Sequence, residues 1–216
     1  MKKIIFLLLA MMGLLSGYAS AQCRDDNRDA CSEYRHHGEY GKRGEYGKRG
    51  RHHRSPYLVT SNKVLFEGRA IDGASPDSFV ILDDGYAKDT WNVYYRGSKM
   101  KGASSDSFRV LGYGYAKDTW NVYYDGKKIS GASTDSFRAL RDGYAVDTWN
   151  AYFDGNKINS ASPDSFKVLR DGYAIDTWNA YFDGAKINGA SPDSFKVLRD
   201  GYAEDTWNTY YFGRKI

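Results

Sequence analysis

A 29-residue period runs through most of the chain and constrains its fold more than any other feature. Tryptophan recurs five times at this interval, and a phenylalanine precedes each tryptophan by twelve residues. The positions are Trp91, Trp120, Trp149, Trp178 and Trp207, with Phe79, Phe108, Phe137, Phe166 and Phe195. Self-similarity at such a period is typical of repeat arrays, whose units bury apolar surface only against their neighbours.

Each repeat has the pattern of short β-strands separated by tight turns. In the copy over residues 162–189, Asp171-Gly172 and Asp183-Gly184 separate runs rich in aromatic and β-branched residues. Asp-Gly between such runs predicts hairpins, because a type I′ turn needs positive φ at both central residues. The runs 166–169, 173–175 and 180–182 are therefore predicted strands, and each unit is expected to contain about three of them.

Two further motifs of the same copy predict connections rather than strands. Residues 176–179, Asp-Thr-Trp-Asn, break the alternation and indicate a turn or bulge in which Asp or Asn binds local backbone amides. Residues 162–165, Ser-Pro-Asp-Ser, resemble a helix start. No apolar helix pattern follows, so a single tight turn is expected.

Comparison of the copies separates fixed positions from variable ones. A glycine before the first tyrosine of the unit is present in all five full copies, which indicates a demand for positive φ. These glycines are Gly85, Gly114, Gly143, Gly172 and Gly201. The residue before the second aspartate varies widely and is therefore predicted to face solvent. It is Lys88, Lys117, Val146, Ile175 or Glu204.

The repeated aromatic residues allow two interpretations. The first is that Trp, Tyr and Phe stack from unit to unit and form a continuous core, since strands this short carry few aliphatic residues. The second is that the rings form a row of exposed platforms for sugars or other flat ligands. We expect the first arrangement for the tryptophans as well as for the other rings.

These patterns predict an all-β protein, a tandem array of 29-residue β-meanders that is open and twisted. The repeat domain is assigned to residues 57–216, with a degenerate cap at 57–73, where Asn62 replaces tryptophan, and five full repeats after it. The alternative is a closed, propeller-like ring. A propeller blade usually needs about 40 residues or more, so the open array is favoured.

The first 21 residues are predicted to be a signal peptide. Lys2 and Lys3 precede an apolar stretch too short to span a bilayer, and Ala19-Ser20-Ala21 fits a signal-peptidase site. The expected location is the periplasm or the exterior of a bacterial cell. A lipoprotein anchored at Cys23 is the alternative. No other apolar stretch is long enough to predict a transmembrane segment.

Residues 22–56 are predicted to be a basic, His-rich linker that does not fold alone. Residues 35–54 contain seven Lys or Arg against two Glu, and a Gly-Glu-Tyr-Gly-Lys-Arg hexapeptide occurs there twice. Cys23 and Cys31 could form a local disulfide in an oxidising compartment. The histidines are weak candidates for a transition-metal site, and a spacer is the preferred interpretation. They are His36, His37, His52 and His53.

The composition of the repeats argues against catalysis, cofactors and nucleic-acid binding. Residues 57–216 contain no His or Cys, and their 20 basic and 21 acidic residues nearly balance. The aspartate of each Asp-Thr-Trp-Asn motif recurs unchanged, which is typical of a scaffold role. These are Asp89, Asp118, Asp147, Asp176 and Asp205. Calcium on these turns and a glycan-active enzyme remain minor alternatives.

One family resemblance follows from the repeat itself. Residues 115–129, followed by Gly131-Ala132 and Asp135-Ser136-Phe137, resemble the DKNYY repeat family of bacterial envelope proteins, and the likeness extends over residues 57–216. Thr-Trp-Asn here replaces the Lys-Asn that follows the aspartate in the family signature. The resemblance implies a repeat architecture, and it transfers no catalytic or binding residues because the family has no assigned activity.

The expected function is that of an exported, non-catalytic interaction surface in the cell envelope, with a protein or a glycan as partner. A purely structural spacer is the alternative. The oligomeric state does not follow from the sequence.

Overall fold

The computed structural model describes residues 55–216 of the chain. These residues belong to one compact unit. The predicted signal peptide, the linker up to residue 54, both cysteines and all four histidines lie outside the described residues. Within them, six antiparallel sheets follow one another along the chain and none closes into a barrel. The prediction of tandem β-meanders is confirmed.

The first sheet has three strands and each later sheet has four, all in meander order. We number the sheets as units 1 to 6. Unit 1 contains β1 (Tyr57–Val59), β2 (Val64–Phe66) and β3 (Arg69–Ala70). Unit 2 contains β4 (Val80–Ile81), β5 (Tyr86–Lys88), β6 (Val93–Tyr95) and β7 (Ser98–Lys99). Unit 3 contains β8 (Arg109–Gly112), β9 (Tyr115–Lys117), β10 (Val122–Tyr124) and β11 (Lys127–Lys128).

Units 4 to 6 repeat the same arrangement with two or three residues per strand. Unit 4 contains β12 (Arg138–Ala139), β13 (Tyr144–Val146), β14 (Ala151–Phe153) and β15 (Asn156–Lys157). Unit 5 contains β16 (Lys167–Val168), β17 (Tyr173–Ile175), β18 (Ala180–Phe182) and β19 (Ala185–Lys186). Unit 6 contains β20 (Lys196–Val197), β21 (Tyr202–Glu204), β22 (Thr209–Tyr211) and β23 (Arg214–Lys215).

The count of about three strands per full unit was too low, because the pair of residues after the second Asp-Gly turn forms a fourth strand. In unit 5, Ala185–Lys186 pairs with Tyr181 and Phe182. Two residues are too few to show a strand pattern in sequence. The two Asp-Gly turns themselves are as predicted, with φ of 58° and 79° at Asp171-Gly172 and 46° and 74° at Asp183-Gly184.

The Ser-Pro-Asp-Ser motif forms one tight turn, as predicted. It is a single 3-10 turn in the three units whose connection contains proline: Pro76–Ser78, Pro163–Ser165 and Pro192–Ser194. Proline presets the φ of the first residue in such a turn. Ser105 and Thr134 replace the proline in the other two connections, which form turns without a 3-10 helix.

The core lies between successive sheets, which pack face to face. Alternation along the strands turns Tyr86 and Val93 of unit 2 toward unit 3, where they meet Ala116 and Tyr123. Phe108, from the connection between the two units, lies between Tyr86 and Tyr123 with ring centroids 5.4 Å and 5.8 Å away. The same cluster recurs between units 1 and 2, 3 and 4, 4 and 5, and 5 and 6. Every inner sheet is therefore buried on both faces.

The tryptophans take no part in this core, so the prediction that they stack inside the array was wrong. Tyrosine and phenylalanine rings, together with alanines that let the sheets approach, already fill the space between units. The tryptophans lie in the loops that join the two central strands of each unit, beyond the edge of that space. Their side chains are exposed.

The variable position before the second aspartate was also predicted wrongly, since it does not face solvent. Lys117 and Val146 are buried, and the equivalent residues of units 2, 5 and 6 are half-buried. This position lies on the strand face that meets the next unit. A lysine there can bury its stem while its ammonium group donates to a backbone carbonyl: Lys88 Nζ reaches the Ser105 oxygen at 2.9 Å, and Lys117 Nζ binds the Thr134 oxygen.

In units 1 to 5, a tyrosine hydroxyl binds both glycine-containing hairpin turns of the next unit. The Tyr115 hydroxyl donates to the Gly143 carbonyl at 2.9 Å and accepts from the Gly155 N–H at 3.0 Å. The equivalent pair of bonds is made by Tyr57, Tyr86, Tyr144 and Tyr173. This repeated contact fixes the register between neighbouring units.

The array does not close on itself. Tyr202 of unit 6 occupies the position of Tyr173 in unit 5, yet it is 40% exposed whereas Tyr173 is fully buried. In a closed ring the first unit would cover this residue. The alternative of a propeller-like ring is therefore excluded for residues 55–216.

Candidate binding surface

Five exposed indole side chains form one series along the array. We call Trp91, Trp120, Trp149, Trp178 and Trp207 the tryptophan series. Their side chains are 73–82% exposed, whereas tryptophan is highly buried on average in folded proteins. Among the described residues, none of the five indoles contacts another aromatic ring. Each unit from 2 to 6 therefore presents one flat apolar ring at the same loop.

The loop that carries each tryptophan is ordered by the aspartate before it. In unit 4, Asp147 Oδ1 accepts the N–H groups of Trp149 and Asn150, each at 2.7 Å. The Asp147 N–H donates to the Asn150 carbonyl at 2.9 Å and closes the hairpin. The side chain thus takes over a backbone role, as in an Asx turn. The prediction that this aspartate binds local amides is confirmed.

The second oxygen of the same carboxylate ties the loop to the rest of its unit. Asp147 Oδ2 accepts the Ser133 N–H at 2.8 Å and the Tyr152 hydroxyl at 2.7 Å. Four donors therefore surround one buried carboxylate. The same four bonds occur at Asp89, Asp118, Asp176 and Asp205.

The hydrogen bonds also determine the charge state of these aspartates. Burial alone would raise their pKa, but the four donors favour the ionised form more strongly and lower it. At Asp205, burial is likewise outweighed by the donors, and the pKa falls to about 2. The carboxylates are ionised at neutral pH, and their lone pairs are occupied by donors of their own unit. This geometry indicates a structural role, in which each carboxylate holds the tryptophan loop in place.

The first unit has the same loop without the ring. Thr60 stands at the aspartate position, where its hydroxyl accepts the Lys63 N–H at 3.1 Å, and Asn62 replaces the tryptophan. The series therefore begins at unit 2. Stacked sheets lie about 10 Å apart, so neighbouring indoles are separated by roughly that distance or more.

The structure does not describe the His and Cys residues that the sequence offered as other candidate sites. His36, His37, His52, His53, Cys23 and Cys31 lie outside the described residues. In residues 55–216, no three His, Cys, Asp or Glu side chains lie together in a way that could hold a metal ion. No helix in the same range has the length and apolar character that a membrane crossing requires.

Tryptophan fluorescence reports directly on this arrangement. We expect the native protein to show red-shifted emission that acrylamide quenches readily, because the indoles lie in water. Unfolding in urea should move the emission maximum only slightly. Blue-shifted and protected emission in the native state would contradict the exposure of the series.

The sequence contained a signal for the exposed ring that the core interpretation overlooked. Each tryptophan lies between Thr and Asn, two residues after an aspartate, and such residues favour turns. A large ring at a loop tip has no strand face to pack against. The paired hydrogen bonds of Tyr57, Tyr86, Tyr115, Tyr144 and Tyr173 had no comparable signal, because their partners are 28 and 40 residues away.

Comparison with known proteins gives one match. The sequence model of a family described as the DKNYY family matches residues 48–127 and 115–216. No curated protein and no solved structure is significantly similar to the chain.

Proposed function

The chain belongs to the DKNYY family. From that premise we propose that it is an exported, non-catalytic repeat protein. We propose further that its tryptophan series binds a polymeric glycan of the bacterial cell envelope. The observation that carries the proposal is the exposure of one indole in each of units 2 to 6, 73–82% in each case. Export is supported by the signal-peptide pattern of residues 1–21.

The chemistry of the loops favours a sugar over an ion as the ligand. Thr and Asn flank each indole, and the carboxylate beneath it is fully occupied by hydrogen bonds. What the loop offers is a flat apolar face with neutral polar groups beside it. The C–H face of a sugar ring can stack on such a surface while its hydroxyls bind the polar groups.

The repetition of the platform favours a ligand that is itself repetitive. A single exposed indole gives weak binding, but several indoles held on a rigid array engage one polymer at a high effective concentration. The tight joints between units, each with a tyrosine bonded to two turns, keep the platforms at fixed positions. A polymer is therefore preferred over a monosaccharide.

The test is co-sedimentation of the protein with insoluble peptidoglycan, with soluble peptidoglycan strands and N-acetylglucosamine as competitors. We expect Trp149→Ala to weaken binding roughly fivefold and the triple replacement of Trp120, Trp149 and Trp178 to weaken it by about a hundredfold, at about 1 kcal/mol per platform. Stability should change by less than about 0.5 kcal/mol, because the rings are exposed.

The control is Tyr113→Asp, which removes an exposed ring outside the series and introduces the residue that units 2, 4, 5 and 6 have there. It should bind like the wild type. Binding that all variants share equally would refute the role of the series. Absence of binding to any envelope polymer would instead favour the structural spacer.

A further inference from the structure

The last unit has an uncovered face that is covered in every other unit. Tyr202 and Tyr211 are 40% and 43% exposed. Their counterparts in unit 5, Tyr173 and Phe182, pack against unit 6. The Gly213 turn lies so close to Phe182 that an added Cβ would be 2.5 Å from the Phe182 Cβ. Tyr211 provides the equivalent ring in unit 6, but no glycine turn of a following unit packs on it.

The first unit has the opposite uncovered face. Gly68 occupies the turn position that presses on an aromatic ring in all later units, yet no atom of the described residues lies within 4 Å of an added Cβ there. Leu58 of the same unit is 55% exposed. Unit 1 thus has a glycine turn that packs on no aromatic ring, and unit 6 has an aromatic ring on which no glycine turn packs.

The unused hydrogen-bonding groups of the two faces also correspond. Between units, a tyrosine hydroxyl donates to a carbonyl and accepts from a glycine N–H, as Tyr173 of unit 5 does with Gly201 and Gly213 of unit 6. In unit 1 the carbonyl at this position belongs to Pro56. It accepts the Glu67 N–H at 2.9 Å, just as the equivalent glycine carbonyls of later units accept a backbone N–H. Among the described residues, the Gly68 N–H and the Tyr202 hydroxyl make no hydrogen bond. A tyrosine and its two partners are therefore present, at opposite ends of the array.

At its uncovered face, unit 1 differs from the other units in one residue of its first strand. Each interface within the chain is filled by one of the repeated phenylalanines, and the sequence has Gly50 at the position where a phenylalanine preceding unit 1 would stand. Leu58 replaces the alanine found at this strand position in all other units. Its larger side chain occupies part of that space. Ile216, at the position of Ile187, adds apolar surface at the edge.

From this correspondence we propose that unit 6 of one copy packs on unit 1 of a second copy, head to tail, and repeats the interface that the units make within the chain. The two surfaces differ, so the contact is heterologous. It propagates into linear chains of copies unless the rotation closes a ring. The contact is independent of the tryptophan series, and failure of either proposal leaves the other intact.

The test is sedimentation velocity of the purified protein over a wide range of concentrations. The wild type should form dimers and larger linear species as the concentration rises. Leu58→Glu blocks the unit 1 face, and Tyr211→Glu blocks the unit 6 face, because each places an unpaired charge in the contact. Each variant alone should remain monomeric, with association weakened about tenfold or more. An equimolar mixture of the two should form a dimer and nothing larger.

Two further variants separate this geometry from general stickiness. Gly68→Ala adds only a methyl group, where the ring of Tyr211 is expected to lie, and should weaken association as strongly as the charged variants. Tyr113→Asp, which removes an exposed ring in unit 3, should associate like the wild type. The proposal is overturned if the wild type stays monomeric at all concentrations, or if Leu58→Glu alone still associates. Circular dichroism establishes that each variant is folded.

Discussion

Replacing Asp147 with alanine should lower the free energy of unfolding by about 3 to 5 kcal/mol. The carboxylate is buried and accepts four hydrogen bonds. Without it, the N–H groups of Ser133, Trp149 and Asn150 and the Tyr152 hydroxyl lose their partner. Urea unfolding followed by circular dichroism in the tyrosine region is the appropriate measurement, since the tyrosines are buried and the tryptophans are not.

Two other aspartates provide matched controls for this change. Asp135 of the same unit is exposed and makes no hydrogen bond among the described residues, so Asp135→Ala should change stability by less than about 0.5 kcal/mol. Asp205 makes the same four bonds at a less buried site, and its replacement should cost less than that of Asp147. Equal effects at Asp147 and Asp135 would refute the scaffold role.

The pH dependence of the same variant has a defined sign. The folded-state pKa of Asp147 is lowered by its donors, which outweigh the effect of burial. Its contribution is therefore complete above the unfolded-state pKa of about 3.9 and is lost as the pH falls through the folded-state pKa. The stability difference between the wild type and Asp147→Ala should shrink in this acidic range. A constant difference down to about pH 2 would contradict the assignment.

The pKa of Asp183 is shifted in the opposite direction, so its contribution to the pH dependence of stability differs in sign from that of Asp147. Burial, and then the charges of Asp154 and Asp142, raise its pKa to about 6. The Tyr124 hydroxyl donates to Asp154 at 2.7 Å, but Phe153 stands at the equivalent position next to Asp183 and has no hydroxyl. Stability from Asp183 is present below the unfolded-state pKa and is lost as the pH rises through about 6.

The second large effect is expected for Gly184→Ala, which should destabilise the protein by about 2 to 4 kcal/mol. Gly184 has a φ of 74°, and an added Cβ would lie 2.5 Å from the Cβ of Phe153 in the preceding unit. The Phe153 Cβ belongs to the strand and cannot move without the backbone. The loss therefore combines a conformational cost of about 1 kcal/mol with the separation of two units. Urea unfolding measures the sum.

Gly189→Ala isolates the conformational part of this cost. Its φ of 75° is nearly the same, and within residues 55–216 nothing lies within 4 Å of an added Cβ. We expect a loss of about 1 kcal/mol. If both variants lose the same amount, the close approach of the turn to Phe153 makes no contribution, and the description of the interface is wrong.

The local features of the fold were predictable because their causes are local. Asp171-Gly172 and Asp183-Gly184 form hairpin turns with positive φ, and the strands 173–175 and 180–182 have the predicted bounds. The turn of residues 163–165 follows from its proline. The fourth strand, Ala185–Lys186, was missed since two residues carry no pattern.

The sequence by itself determined the period, the β-class, the turns and the family, because steric limits on φ and repeated residue types act within one unit. Only the tertiary structure decided which rings are buried. Three-residue strands are too short to reveal which face meets a neighbour, so tyrosine and tryptophan were equally plausible core residues. The stacking of sheets placed Tyr144 inside and Trp149 outside, and it buried the variable position of Lys117, because a side chain is covered only where the next unit packs.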